Sequence, residues 1–137
     1  SLEARFPGAI MAILPLLRPA YYVKGEVLFS PRMDTREAAF LVRGSCECVD
    51  DSTKAQVSRY RAGDHFGTEQ ILVPAYVPFM LKVEVRALTN VKVLLLSRDD
   101  FWRFQQTCPR LAELFEKILS AGADQDRWMH FPDGDSL

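Results

Sequence analysis

The strongest constraint on the fold of this chain is its punctuation. From Tyr21 to Leu96, short apolar or alternating runs recur about every ten residues, each closed by glycine, proline or a polar cluster. Tyr21 to Phe29, with Lys24-Gly25-Glu26 between apolar flanks, reads as strand, tight turn, strand. Pro31 and Asp34 mark Ser30 to Arg36 as a loop. Ala38 to Arg43 and Cys46 to Val49 read as strands around a Gly44-Ser45 turn. Asp50 to Lys54 is a polar hairpin tip, and Gln56 to Tyr60 returns as a strand. Ala62-Gly63-Asp64 is a further turn, followed by the runs Lys82 to Thr89 and Val91 to Leu96. Strands of this length and spacing favour a β-sandwich or roll, with sequence-distant strands pairing.

Helices flank the strand region. Ala9, Ile10, Ile13 and Leu14 have near-helical spacing, with Pro7 able to open a helix and Pro15 to end it, so a helix is expected over 7–14. Ser97 is a good N-cap, and Asp99 and Asp100 suit the positive end of a helix dipole, so a helix is expected over 98–107. Pro109 opens another, over 109–121, whose Leu111, Leu114, Phe115, Ile118 and Leu119 form one apolar face. Gly122 is the expected end. The expectation is one α+β domain over 1–122, an antiparallel β-roll (a double-stranded jelly roll of about eight strands over 20–97) with one helix before it and two after. Residues 123–137 are expected to be a flexible tail holding one apolar island, Trp128-Met129-His130-Phe131.

Composition narrows the function. The chain has 137 residues, 48% hydrophobic and 26% charged, with a net charge of −1. It offers no basic field to hold nucleic acid. No apolar run reaches the roughly 18 residues a spanning helix needs, so no direct membrane insertion is expected of this stretch. Cys46 and Cys48 fall on one face of a strand, and with Cys108 they read as reduced structural thiols. A zinc site would need His65 or His130 as further ligands. No serine, cysteine or carboxylate set has catalytic spacing, so the chain does not read as an enzyme, and it lacks a phosphate loop of the nucleotide-hydrolase type.

Four motifs together resemble a cyclic-nucleotide-binding domain of the channel branch. Phe40-Leu41-Val42-Arg43-Gly44 is similar to that family's aromatic–aliphatic–glycine strand end, and Gly63-Asp64-His65-Phe66-Gly67 to the opening of its phosphate-binding cassette. Val85-Arg86-Ala87-Leu88-Thr89 followed by Ser97-Arg98-Asp99-Asp100-Phe101 resembles the strand–helix junction of hyperpolarization-activated, cyclic-nucleotide-gated and ether-à-go-go-type cation channels, as does Leu17-Arg18-Pro19 before Gly25-Glu26. The resemblance covers roughly Pro7 to Leu119. It implies a regulatory domain on the cytoplasmic side of a membrane, partnered by the rest of a channel subunit and its neighbours, with cAMP or cGMP as possible ligand.

The resemblance also implies a site of defined chemistry, from which this chain departs. Backbone amides and an arginine would hold the cyclic phosphate, a glutamate after Phe-Gly would hold the ribose, and a C-terminal helix would cover the base. Here Thr68 follows Phe66-Gly67, and Glu69 comes one place late. Counting back from Val85-Arg86-Ala87, the family's Arg-Thr-Ala falls on Leu81-Lys82-Val83, so the phosphate arginine is replaced by Leu81. Gly122 falls near the position of a basic lid residue. The cassette loop Val73 to Met80 is lengthened and holds Tyr76, Phe79 and Met80, which could fill the pocket or cover it from outside. If a nucleotide binds, the groups left are Phe66, Gly67, Thr68, Glu69, Gln70, Lys82, Val83 and Arg86. Losing one charge-assisted bond to phosphate costs about 1.5–3 kcal/mol, or about ten- to a hundredfold in affinity. Weak or lost binding with a coupling role is therefore expected, with a working cAMP or cGMP sensor as the alternative. By resemblance to the ether-à-go-go-type channels, Trp128 to Phe131 is a candidate intrinsic ligand. A transcription regulator would need a helix-turn-helix and a basic face, where this stretch carries Asp124, Asp126, Asp133 and Asp135.

Overall fold

The computed structural model describes residues 9–33, 36–72 and 82–124, without the side chains of 9, 10, 69, 70, 118 and 120–124. Two four-stranded antiparallel sheets face each other. The strands are β1 (Arg18–Tyr22), β2 (Val27–Phe29), β3 (Glu37–Arg43), β4 (Ser45–Asp50), β5 (Gln56–Arg61), β6 (His65–Phe66), β7 (Val83–Ala87) and β8 (Val91–Ser97). One sheet has the order β1-β8-β3-β6 and the other β2-β7-β4-β5. The helices are α1 (Ala9–Ile13), α2 (Glu69–Leu72), α3 (Arg98–Thr107) and α4 (Pro109–Asp124). The expected β-roll with flanking helices is therefore the observed fold.

Two tight turns are corners and not hairpin loops. β1 pairs with β8 whereas β2 pairs with β7, so Lys24-Gly25 carries the chain from one sheet to the other. Gly44 does the same between β3 and β4. Among the described residues only β4–β5 closes as a local hairpin, where Asp50 accepts from the amides of Ser52 and Thr53. Those bonds hold its carboxyl below its ordinary pKa.

The described residues form two apolar clusters. The first lies between the sheets and contains Phe29, Leu41, Cys46, Cys48, Tyr60, Phe66, Val85, Val93 and their neighbours. Cys46 and Cys48 point inward as their spacing requires, and burial pushes the Cys46 thiol up to about 11. The second cluster joins the outer side of β3 and β8, through Ala38 and Leu96, to Ile13, Ile71, Phe101, Phe104, Ala112, Phe115 and Leu119. It binds all four helices to one face of the roll.

The helix boundaries differ in detail from the sequence expectation. Among the described residues the first helix starts at Ala9 and ends at Ile13, and a 3₁₀ turn over Leu14–Leu16 follows. Pro15 sits inside that turn, where proline needs no amide partner. Leu14 is consequently exposed while Ile13 is buried. α3 begins where Ser97 caps it by accepting from the Asp100 amide at 3.0 Å. α4 runs past Gly122 to Asp124, because a helix propagates through an internal glycine at about 1 kcal/mol. Residues 125–137, including Trp128 to Phe131, lie outside the described residues. No helix among the described residues is long and apolar enough to cross a membrane.

Candidate functional site

The site is the segment between β5 and β7. It starts at a turn tied to the sheet. Asp64 accepts from the Arg61 amide at 2.8 Å, while Gly63 donates to the Leu41 carbonyl and Leu41 to the Asp64 carbonyl, each at 2.9 Å. These bonds set β6 against β3, with Ala39 opposite Phe66. Phe66 turns inward and stacks on Tyr60, centroids 4.8 Å apart. Gly67, at φ 78°, redirects the chain into α2.

Thr68 heads α2. Its carbonyl accepts from the amides of Ile71 and Leu72, and the residue is 3% exposed. The position the resemblance gives to the ribose carboxylate thus holds a short, neutral, buried hydroxyl. Glu69 and Gln70 form the first turn of α2, where the structure describes their backbone alone. Residues 73–81, with Leu81, lie outside the described residues.

The far end of the segment is fixed from outside the roll. The amide of Asp51, on the β4–β5 tip, donates to the Lys82 carbonyl at 2.9 Å. Arg32 grips Asp51 with both guanidinium nitrogens, at 3.0 and 3.1 Å, and holds its carboxyl below the ordinary range. Arg32 and Lys54 each reach Glu84 at 3.5 Å, and Arg86 pairs with the same carboxylate. Glu84 is 3% exposed, so its charge is covered by three cations from three separate segments. Sequence reasoning missed this hub because Arg32 and Lys54 lie 52 and 30 residues away from it.

Two of the candidate ligand residues, Lys82 and Arg86, fall on the outer face of the roll. Val83, Val85 and Ala87 pack into the core between the sheets, so the alternating positions Lys82, Glu84 and Arg86 face outward. Lys82 is exposed and Arg86 is bound to Glu84. Neither cation is brought together with Phe66 and Thr68. Val83 is partly buried against the core, on the inner side with Phe66.

Inside the roll two features had no clear signal in the sequence. The Ser58 hydroxyl is fully buried and has no hydrogen-bond partner among the described residues. Its only sequence cue is parity with Tyr60 on β5. A cavity of about 20 Å³ is lined by Tyr22, Leu28, Phe29, Glu37, Ala39, Phe66 and Leu95. That is room for about one water molecule. Burial, with the Glu37 charge nearby, raises the Tyr22 phenol. Among the described residues no group of three histidine, cysteine or carboxylate side chains could hold a metal ion.

The segment is mechanically joined to the helices. Ile71 of α2 is buried in the second cluster with Phe101 and Phe104 of α3 and Phe115 and Leu119 of α4. A shift of α2 must therefore be taken up by the two C-terminal helices, because a close-packed cluster transmits displacement.

Comparison with known proteins agrees with this architecture. Residues 19–108 match the cyclic nucleotide-binding domain family. No curated protein matches the sequence. Among solved structures, the Thermus thermophilus catabolite activator protein is similar at 15% identity and a TM-score of 0.71, over 90% of this chain and 58% of that one. The regulatory domain of Toxoplasma gondii PKA with cAMP is similar at 18% identity and a TM-score of 0.67, over 88% of this chain and 45% of that one. The C-linker/CNBHD of zELK channels, crystallized in the presence of cAMP, is similar at 19% identity and a TM-score of 0.70, over 87% and 59%. The chain thus spans about half the length of these three proteins, and at such identities the likeness is one of fold. The family match runs from the first strand to the junction of the last two helices, which takes in the entire roll, and the chain belongs to the cyclic nucleotide-binding domain family.

Proposed function

We propose that this chain is a non-catalytic regulatory domain on the cytoplasmic side of a cation-channel subunit, with a cyclic-nucleotide-binding fold whose hold on cAMP or cGMP is weak or lost. The observation that carries the weak-binding reading is Thr68. It is buried at the head of α2, and its neutral side chain stands where the ribose carboxylate is expected. Lys82 and Arg86 face away from the roll, so neither supplies the missing phosphate charge. The domain's work on this reading is coupling: α2, α3 and α4 share one apolar cluster, so a partner that displaces α4 also biases the cassette. The partners are the remainder of the channel subunit and the neighbouring subunits.

Titration calorimetry with cAMP and cGMP tests the weak-binding part. The expected result is no saturation tighter than about 50 µM, a bound equivalent to about −6 kcal/mol. The channel context is supported by the motif resemblance at Val85 to Thr89 and Ser97 to Phe101. It predicts a membrane-spanning pore region upstream in the full-length polypeptide. Sequencing the complete transcript checks this, and a helix-turn-helix downstream in place of a pore upstream would contradict it.

A further inference from the structure

The end of the roll away from the cassette exposes apolar and cationic side chains together. Both feet of the cassette lie at the other end, where Ala39 faces Phe66 and Asp50 faces Val83. Here Tyr21 faces Lys92 on the outer side of the sheet, because Val91 and Val93 are buried on the inner side. The register slips between Leu41 and Arg43, so Val42 and Arg43 share the space that Lys92 has on β8. Val23 and Lys24 carry on from β1 into the corner. Tyr21, Val23 and Val42 are 64, 58 and 43% exposed. The Lys92 ammonium lies 5.8 Å from the centre of the Tyr21 ring. Among the described residues Lys24, Arg43 and Lys92 form no ion pair, whereas Arg32, Lys54 and Arg86 on the far side are all held by carboxylates. The carboxylate of the corner, Glu26, is taken up by the Val23 amide at 2.7 Å.

Unpaired cations beside exposed apolar groups fit a surface that is negative outside and apolar beneath. A folded protein fits less well. The apolar part spans three strands at about 4.8 Å spacing and two or three residues at about 3.3 Å each, far short of the about 800 Å² per partner that a stable protein interface buries. The patch also needs no ordering on contact. The Lys24 amide donates to Asn90 Oδ1 at 3.0 Å, the Gly25 amide to the Ala87 carbonyl at 2.8 Å and the Ser45 amide to the Thr89 hydroxyl at 3.0 Å. We propose that this end of the roll adsorbs on an anionic phospholipid bilayer without spanning it. Lys24, Arg43 and Lys92 meet the headgroup phosphates, and Tyr21, Val23 and Val42 enter the interfacial layer. The choice of lipid draws on the membrane-side position proposed above, while the patch itself is independent of nucleotide affinity. Docked this way, the domain keeps its cassette and the shared cluster of α2, α3 and α4 clear of the lipid.

The test sediments the chain with vesicles of phosphatidylcholine and phosphatidylserine in equal parts, and with vesicles of phosphatidylcholine alone. Binding is expected to the mixed vesicles only, and should fall as salt is raised. Arg43→Gln combined with Lys92→Gln should weaken it about twenty-five-fold, at about fivefold for each cation near an anionic surface. Tyr21→Ser should weaken it by a factor that salt does not change. Arg59→Gln combined with Arg61→Gln removes the same charge from the other sheet and should leave binding unchanged. Thermal unfolding shows whether each variant is folded. If the Arg43 and Lys92 double variant is not, Lys24→Gln on the exposed corner takes its place, with about a fivefold loss expected. No binding to the mixed vesicles, equal binding to both kinds, or an equal loss in the Arg59 and Arg61 variant overturns the proposal. So does a dimer in sedimentation velocity that the Arg43 and Lys92 substitutions abolish, which would assign the patch to a second copy of the chain. Each of these results leaves the nucleotide reading and the channel context to their own tests.

Discussion

Replacing Phe101 with alanine should lower the stability of the domain by about 3–5 kcal/mol. Phe101 is fully buried, and its ring lies 6.1 Å from that of Phe115 and 6.4 Å from that of Phe104. It occupies the cluster in which Ile71, Leu96, Ile13 and Leu119 meet, so its removal leaves a cavity that four helices and two strands would have to close together. Cavities at such junctions relax poorly, which places the loss at the upper end for a truncated aromatic. Urea denaturation of the variant measures it. A loss under about 1 kcal/mol would mean that the helices are not packed on the roll as described, and the coupling of α2 to α4 would fall with it.

Gly44→Ala should be as damaging for a different reason. Gly44 has φ +95°, where a side chain costs about 1–2 kcal/mol. An added Cβ there would also collide with the Asn90 carbonyl oxygen and come within 2.6 Å of Val91 Cγ1 and 2.8 Å of Thr89 Oγ1. The neighbouring backbone cannot retreat, since Ser45 is held by the Thr89 hydroxyl at 3.0 Å and its carbonyl accepts from Leu88 at 2.9 Å. Strain and overpacking together should cost at least about 3 kcal/mol. Gly63 is the internal control. Its φ is +98°, but a Cβ added there would meet nothing within 4 Å, so Gly63→Ala should show the backbone cost alone. Equal effects in the two variants, read from denaturant midpoints, would show that the Gly44 corner is not the tight contact between the two sheets.

These two positions also show how far the sequence can be read. Gly44 is visible as a turn, because glycine between apolar runs is a local signal. That the turn is a corner between sheets is not visible, since the partner of β3 is β8, about fifty residues on, and pairing over such a separation leaves no trace in local pattern. The Ser97 cap and the β4–β5 hairpin are legible for the opposite reason, each being closed by residues within a few positions. Parity along a strand predicts that Lys82 and Arg86 share a face opposite to Val83 and Val85, and both follow that rule. The buried Glu84 breaks the habit that outward carboxylates are exposed, because Arg32 and Lys54 reach it from distant segments and Arg86 from its own strand. Ser58 gives no warning of its burial, because a single serine in a strand is ordinary and its isolation among the described residues exists only once the roll is closed.

On the proposed reading, the chain keeps the cyclic nucleotide-binding fold and lacks the charge that would grip the phosphate. Restoring that charge tests the claim most directly. cAMP should be titrated calorimetrically into the wild-type domain and into Leu81→Arg. The expected result is wild-type binding weaker than about 50 µM and at least about a tenfold gain in the variant, the value of one charge-assisted bond to phosphate. Low-micromolar binding by the wild type, or no gain on adding the arginine to a folded variant, would contradict it.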